Sequence, residues 1–332
     1  MLLLCYKPYI TGGIFMNIVI TDADTVVSEG LDLKIFEKFG KVTMYPLTDE
    51  NEITDRIKDA DIVLCNKTRL FENELSKAKN LKYIGLFATG YNNVDVDYCT
   101  KHAITVCNVP GYSTDAVAQH TFALILAIVN KVGEYNNIVK QGDWAKSRTF
   151  SYFPIPIYEL SGKTIGIIGY GAIGKRVAQI AKAFNMNVLV NNRSKIEDES
   201  VNQVGLDELF ENSDIVTMHC TLNKDSENLI NKNTISKMKK GSIFINTVRG
   251  KIVVEEDLMQ ALNDEYLLGA GVDVLRTEPV SEDCPLLNAK NCFITPHIAW
   301  AALQTRQRLV NIVAENIEHY LNNTPVNTVN GL

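Results

Sequence analysis

Three polar residues in the second half of the chain each stand just after a short apolar run: Arg249 in Asn246-Thr247-Val248-Arg249-Gly250, Glu278 in Gly271-Val272-Asp273-Val274-Leu275-Arg276-Thr277-Glu278-Pro279, and His297 in Thr295-Pro296-His297-Ile298-Ala299-Trp300. Imidazole gives or takes a proton near neutral pH. A carboxylate beside it would orient the ring and favour its charged form. A guanidinium holds a carboxylate through a directional pair of hydrogen bonds. Together they suit protonation of a ketone oxygen in a 2-keto acid while hydride arrives at the carbon. Singly, each has a plainer reading, since an Arg or Glu after a strand is usually solvated and His297 could cap a turn. The other histidines, His102, His120, His219 and His319, fall within predicted elements without such companions and are read as structural.

A hydride needs a carrier, and residues 163–174 offer a place for one. Thr164 to Ile168 is a β-branched run, and apolar residues recur at helical spacing from Lys175 to Phe184, so Gly169-x-Gly171-x-x-Gly174 sits at a strand-to-helix turn. Gly169 would allow the tight turn, Gly171 the close approach of a pyrophosphate, and Gly174 the packing of helix on strand. The helix N-terminus then favours the phosphates. The motif alone is weak evidence, because glycine-rich turns are common.

These residues need a scaffold of alternating strands and helices. Apolar runs at 18–20, 42–44, 62–64, 83–87 and 105–106, with helical patterns at 31–39, 53–57, 70–75 and 94–101, imply a parallel sheet covered on both faces. The pattern repeats at 165–168, 188–190, 215–218, 243–245, 269–274 and 293–295, again interleaved with helices. The fold class is therefore α/β with two doubly wound parallel-sheet domains. Ligands of such sheets bind at the strands' carboxyl ends. The loop Ala88-Thr89-Gly90-Tyr91-Asn92-Asn93 follows a strand and could present N–H groups to an anion, or be an ordinary turn. A helix over 115–132, apolar nearly all round, would be buried at a domain junction or a subunit interface. An amphipathic helix over 305–321 has no sheet of its own and is expected to return to the first domain, and 322–332 reads as a polar tail.

At 332 residues the length suits two domains. Lys plus Arg at 33 against Asp plus Glu at 39, with no basic stripe, argues against a nucleic-acid partner. No apolar run reaches 18 residues, so no membrane span is expected. The seven cysteines form no C-x-x-C pair and read as buried thiols of a reducing, cytoplasmic compartment, with no disulfide and no metal site. Residues 1–15 read as an extension before a fold that starts at Met16.

The set Gly-Tyr-Gly-Ala-Ile-Gly, Asn-Thr-x-Arg-Gly, Gly-x-Asp-Val-x-x-x-Glu-Pro and Thr-Pro-His resembles, in order and spacing, the D-isomer-specific 2-hydroxyacid dehydrogenases over nearly all of 16–329. The stretches 88–95, 109–119 and 296–300 are similar to its glycerate dehydrogenase (hydroxypyruvate reductase) branch. The resemblance implies a flavodoxin-like substrate domain, 16–111 plus 298–332, and a Rossmann nucleotide-binding domain, 112–297. It implies Arg249, Glu278 and His297 as catalytic residues, with Ala88, Thr89, Gly90, Tyr91, Arg249 and Trp300 at the substrate. Thr114, Ala172, Ile173, Thr247 and Asp273 match positions lining the cofactor, beside Gly169, Gly171 and Gly174. A cleft between the domains and a homodimer through the helix from Asp115 follow from the same source.

One departure concerns the cofactor. The dinucleotide fingerprint expects an acidic residue after the second strand to hold the ribose, whereas Val188-Leu189-Val190 runs into Asn191-Asn192-Arg193-Ser194-Lys195. No carboxylate there opposes a 2′-phosphate, and Arg193 and Lys195 could attract one, so NADH and NADPH both stay open. The expected substrate is a small 2-keto or 2-hydroxy acid, hydroxypyruvate with D-glycerate first. The alternatives are a D-lactate-type enzyme, a glyoxylate reductase, or a nucleotide-sensing corepressor-like protein of the same fold.

Overall fold

The computed structural model describes residues 16–28 and 30–332, and the expected extension over 1–15 lies outside the described residues. These residues fall into two compact units: one runs to Tyr112 and resumes with Ala301–Leu332, and the other is Ser113–Trp300. The return to the first unit begins at Ala301, not at 298, because the N–H groups of Ile298 and Ala299 donate to the Asp273 carboxylate of the second unit at 2.9 and 2.8 Å.

The first unit contains β1 (Met16–Ile20), β2 (Gly40–Met44), β3 (Ile62–Cys65), β4 (Tyr83–Leu86) and β5 (Thr105–Cys107), all parallel, in the order β2-β1-β3-β4-β5. This is the flavodoxin-like order. Every residue of β3 and β4 is buried, as central strands covered on both faces require, and so is every residue of β5 at the edge. The helical pattern expected over 31–39 becomes a short 3-10 turn, Lys34–Lys38. That over 70–75 shrinks to Glu72–Leu75, since Leu70 is held in a parallel bridge with Val94.

The helix Leu303–Leu321 belongs to this unit. Tyr320 packs on Tyr83 with ring centroids 4.7 Å apart, and Asn316 Nδ2 donates to the Asn108 carbonyl at 3.0 Å. The stretch expected to be a polar tail instead completes the sheet edge: Thr328 bridges Cys107 antiparallel, the Val329 N–H donates to Val106 O at 2.9 Å, and Asn330 Nδ2 donates to Ile104 O at 2.8 Å. Without it, β5 would present a row of unpaired backbone groups.

The second unit contains β6 (Thr164–Ile168), β7 (Asn187–Asn191), β8 (Asn202–Gln203), β9 (Ile215–Met218), β10 (Ile243–Asn246), β11 (Gly269–Val272) and β12 (Cys292–Ile294). Their order, β12-β11-β10-β9-β6-β7-β8, is that of a Rossmann sheet, and all pairs are parallel. The helix expected over 115–132 ends at Asn130. Lys131 adopts a left-handed φ of 49°, and a second helix, Val132–Lys140, follows. Much of the apolar surface of Thr114–Asn130 is covered by its own unit, while Ala123 stays exposed and Leu126 and Ala127 half-buried. A Cβ at Gly271 would lie 2.8 Å from Leu124 Cβ, and one at Gly269 2.9 Å from Ile128 Cγ2, so β11 uses glycines to let this helix close on the sheet.

Register aligns the strand ends. Asn191, Ile168, Met218, Asn246, Val272 and Ile294 stand in one row across β7, β6, β9, β10, β11 and β12. The next residue on each strand is Asn192, Gly169, His219, Thr247, Asp273 and Thr295. These six line the carboxyl edge, where ligands of such sheets bind.

Candidate active site

The three glycines of the turn after β6 serve different needs. Gly169 has φ of +98°, and a Cβ there would fall 2.6 Å from Cys220 N and from the His219 carbonyl. A Cβ at Gly174 would fall 2.1 Å from Gly169 O. At Gly171 a Cβ would meet nothing within 4 Å, so the protein itself leaves that position open. It stands at the head of the helix Ala172–Ala183, whose first turn holds no acidic residue and whose N-terminus no side chain caps. An open backbone at an uncapped helix start fits a pyrophosphate, with Ala172 and Ile173 the first helical residues against it.

Past β7, Asn192 Oδ1 accepts from the Tyr170 N–H at 3.2 Å, and its Nδ2 donates to Ser194 O at 3.1 Å. Gln203 Nε2 donates to the carbonyls of Asn192 and Ser194 at 3.1 and 3.0 Å. Tyr170 donates its hydroxyl to Asp198 at 2.7 Å. Hydrogen bonds from Ser200 and then Tyr170 hold the Asp198 carboxyl down at about 2. Arg193, the expected phosphate ligand, is paired with Asp225 at 3.0 Å, and both side chains are exposed. Elsewhere on the edge, Thr247 is nearly buried with Oγ1 3.4 Å from Thr121 Oγ1, a residue of the helix that Thr114 opens.

Arg249, Glu278 and His297 follow β10, β11 and β12, three neighbouring strands. Buried Asn246 shapes the first of these turns, accepting from the Val248 N–H at 3.0 Å and donating to Arg249 O at 2.9 Å. A Cβ at Gly250 would sit 1.9 Å from the Leu275 carbonyl carbon, so this turn lies directly against the loop after β11. The Arg249 side chain is exposed and donates Nη1 to Val248 O at 2.7 Å. In the neighbouring loop, Glu278 Oε1 accepts from the Leu275 N–H at 3.0 Å and buried Glu255 accepts from the Arg276 N–H at 2.7 Å. The other Glu278 oxygen lies 2.7 Å from His297 Nδ1. Glu278 and His297 are thus in contact, and Arg249 shares their edge.

His297 has a left-handed φ of 56°, uncommon for a residue with a side chain. Its N–H donates to Asp273 O at 2.8 Å and Thr295 O at 3.0 Å, and its carbonyl accepts from the Trp300 indole at 3.0 Å. Trp300, expected at the substrate, thus also pins the turn that carries the imidazole. Asp273, expected to line the cofactor, directs its carboxylate to the same turn: it accepts from Thr295 Oγ1 at 2.6 Å, the Ile298 N–H at 2.9 Å and the Ala299 N–H at 2.8 Å.

Two histidines read as structural belong to this edge. His120 Nε2 is 2.9 Å from Thr295 Oγ1 and 3.6 Å from Asp273 Oδ1. His219 follows β9 instead of lying within an element; its Nε2 is 3.0 Å from Thr217 Oγ1 and its Nδ1 is buried without a partner among the described residues. Burial holds the His219 imidazole down at about 3. The available signal for His219, as for Thr295, was its place one residue beyond a strand.

In the first unit, the Asn66–Lys67–Thr68 loop is filled from within, since its three N–H groups donate to buried Asp22. The 88–91 loop differs. Thr89 Oγ1 donates to Val109 O at 2.7 Å and Asn93 Nδ2 donates to Thr68 O at 2.8 Å, which hold the loop open. Among the described residues no acceptor meets the N–H of Thr89, Gly90 or Tyr91.

Comparison with known proteins adds three findings. Residues 122–299 match the family described as D-isomer specific 2-hydroxyacid dehydrogenase, NAD binding domain. A hydroxypyruvate reductase of Blautia hydrogenotrophica is 43% identical over 95% of this chain and 100% of its own, and a glycerate dehydrogenase of Methylorubrum extorquens is 38% identical over 84% and 88%. Among solved structures, an acyclic imino acid reductase in complex with NADPH and D-Arg superposes with a TM-score of 0.83 at 32% identity, covering 95% of this chain and 100% of that one.

Proposed function

The chain belongs to the D-isomer specific 2-hydroxyacid dehydrogenases, and from that premise we propose that it reduces hydroxypyruvate to D-glycerate. The observation that carries the proposal is the His297 Nδ1 to Glu278 Oε2 contact of 2.7 Å on a turn locked in a left-handed conformation. With Nδ1 so engaged, Nε2 is the ring nitrogen left to deliver a proton. When bound, the nicotinamide supplies the hydride. His297 protonates the ketone oxygen, so that one C–H and one O–H bond replace the carbonyl π bond. Glu278 stabilises the imidazolium before transfer and fixes the ring's orientation. Arg249 receives the substrate carboxylate on its exposed guanidinium. Within the first unit, the 88–91 loop carries N–H groups of a kind that suits an anion.

The glycine turn and the helix Ala172–Ala183 would hold the pyrophosphate in this reading, with Thr247 lining the cofactor. No carboxylate ends β7, which supports acceptance of NADPH beside NADH. The branch assignment is supported by the relative named hydroxypyruvate reductase, whose whole length this chain matches. A homodimer is proposed as well, through the helix Thr114–Asn130 and the exposed segment 132–158 that follows it. The deciding experiment is a panel of steady-state rates with hydroxypyruvate, glyoxylate, pyruvate and phenylpyruvate, each with NADH and NADPH. Hydroxypyruvate should give the highest kcat/KM. A higher value for glyoxylate or pyruvate would move the enzyme to another branch, and no turnover with any of the four would point to a nucleotide-sensing protein.

A further inference from the structure

Behind His297 stands a chain of hydrogen bonds that ends on a helix in the unit's core. The Asp273 carboxylate is 1% exposed and takes the hydroxyl proton of Thr295 at 2.6 Å, together with the N–H groups of Ile298 and Ala299. A hydroxyl has one proton to give. Thr295 Oγ1 therefore accepts from His120 Nε2 at 2.9 Å, which makes Nε2 the protonated nitrogen whether the ring is neutral or charged. His120 belongs to the helix Thr114–Asn130, whose packing against β11 fixes its position.

We propose that His120 is a positioning residue for His297, acting through Thr295 and Asp273 to hold the 297–299 turn in the conformation that presents the imidazole. The turn needs such support. A non-glycine residue at φ of 56° persists where its surroundings over-determine it. Here the surroundings are the Asp273 carbonyl on the His297 N–H and the Asp273 carboxylate on the next two N–H groups. Asp273 is oriented in turn by Thr295, and Thr295 by His120. The inference rests on the reading of His297 as the proton donor.

The test uses two deletions and two conservative replacements in the full chain. Thr295→Val removes the hydroxyl at constant shape, and His120→Leu removes the ring donor. Thr295→Ser keeps the hydroxyl, and His120→Gln keeps an N–H near the Nε2 position. Each deletion should lower kcat for hydroxypyruvate reduction by about 10- to 100-fold, the scale for a catalytic group held loosely. The dissociation constant for NADH, read by fluorescence, should stay within about twofold, because the deletions leave the pyrophosphate turn alone. Serine and glutamine should restore most of the turnover. The double deletion should be no worse than the more damaging single one, since both break one chain. A readout apart from catalysis is NMR of ring-labelled histidine, in which the His297 signals should shift in the deletions and return in the conservative variants. Unchanged His297 signals, or NADH affinity falling as steeply as kcat, would overturn the proposal. If His297→Ala kept its turnover, the donor reading would fail, while moved His297 signals in Thr295→Val would still establish the positioning chain.

Discussion

At the scale of single residues, the imidazole of His297 matters because one of its nitrogens is taken and the other is not. Replacing it with alanine should cut turnover by about 100-fold or more, as expected for loss of a general acid, with NADH binding nearly intact by fluorescence titration. Near-normal turnover at neutral pH would remove the role. Glu278→Gln deletes the carboxylate oxygen 2.7 Å from Nδ1, so the ring loses the partner that orients it and kcat should fall by about 10-fold or more while NADH affinity stays unchanged. An unaltered kcat would show that the contact does not govern catalysis. His219 gives a stability prediction of opposite character. Its folded imidazole is held at about 3 against an ordinary 6.5, so above pH 6.5 neither state carries the proton and nothing is lost. Below pH 6.5 the unfolded chain takes up a proton that the fold refuses, and stability should fall until about pH 3. His219→Asn should flatten that part of a urea-denaturation series, and an equal slope would mean other groups set it. The shared edge of Arg249, Glu278 and His297 was legible in the sequence because each follows an apolar run that forms a strand. His120 was not, since its partner lies 175 positions away and a histidine on an apolar helix carries no mark of what it touches.

At the scale of elements, long apolar runs announced the central strands, and their alternation with helices announced both sheets. What escaped is built by backbone groups. The pair Asn202–Gln203, the bridge of Thr328 to Cys107 and the left-handed break at Lys131 all rest on N–H and C=O partners that no apolar pattern encodes. The loop after β7 shows how an element changes a residue-level expectation. Arg193 was expected to await a phosphate, but it is paired with Asp225 at 3.0 Å between two exposed side chains. Such pairs contribute about 0–1 kcal/mol, little enough for a doubly charged phosphate to displace. Arg193→Ala should therefore weaken NADPH by roughly 1.5–3 kcal/mol, the scale of a charged hydrogen bond, and leave NADH almost unaffected. Asp225→Asn should tighten NADPH by a few-fold, because the guanidinium is released. Equal effects on the two cofactors, measured as dissociation constants, would show that this loop does not read the ribose.

At the scale of the molecule, each unit has its own sheet and core, and the larger one carries a segment its core does not use. The helix Val132–Lys140 has no buried residue, and beyond it Phe150 and Phe153 are 91% and 78% exposed. Large apolar side chains left in water mark a contact surface, and a second copy is the proposed occupant. Phe150→Ser with Phe153→Ser should shift sedimentation from dimer toward monomer at micromolar concentration; an unshifted dimer would place the contact elsewhere. The smaller unit has a different peculiarity, which is that its sheet is made early and its covering helix late. During synthesis, β1 to β5 leave the ribosome and then wait while Ser113–Trp300 is translated, which at about 5–20 residues per second takes on the order of 10–40 s. Throughout that interval the face of Tyr83 lacks Tyr320, and the edge of β5 lacks the stretch from Asn327 to Asn330. Nascent chains stalled once the larger unit has emerged should show it resistant to protease while the earlier residues remain cleavable and bound to chaperones. The discontinuous unit should thus be the part of this protein that stays incomplete longest during synthesis, and the order in which the chain is made, more than the strength of any contact, sets that interval.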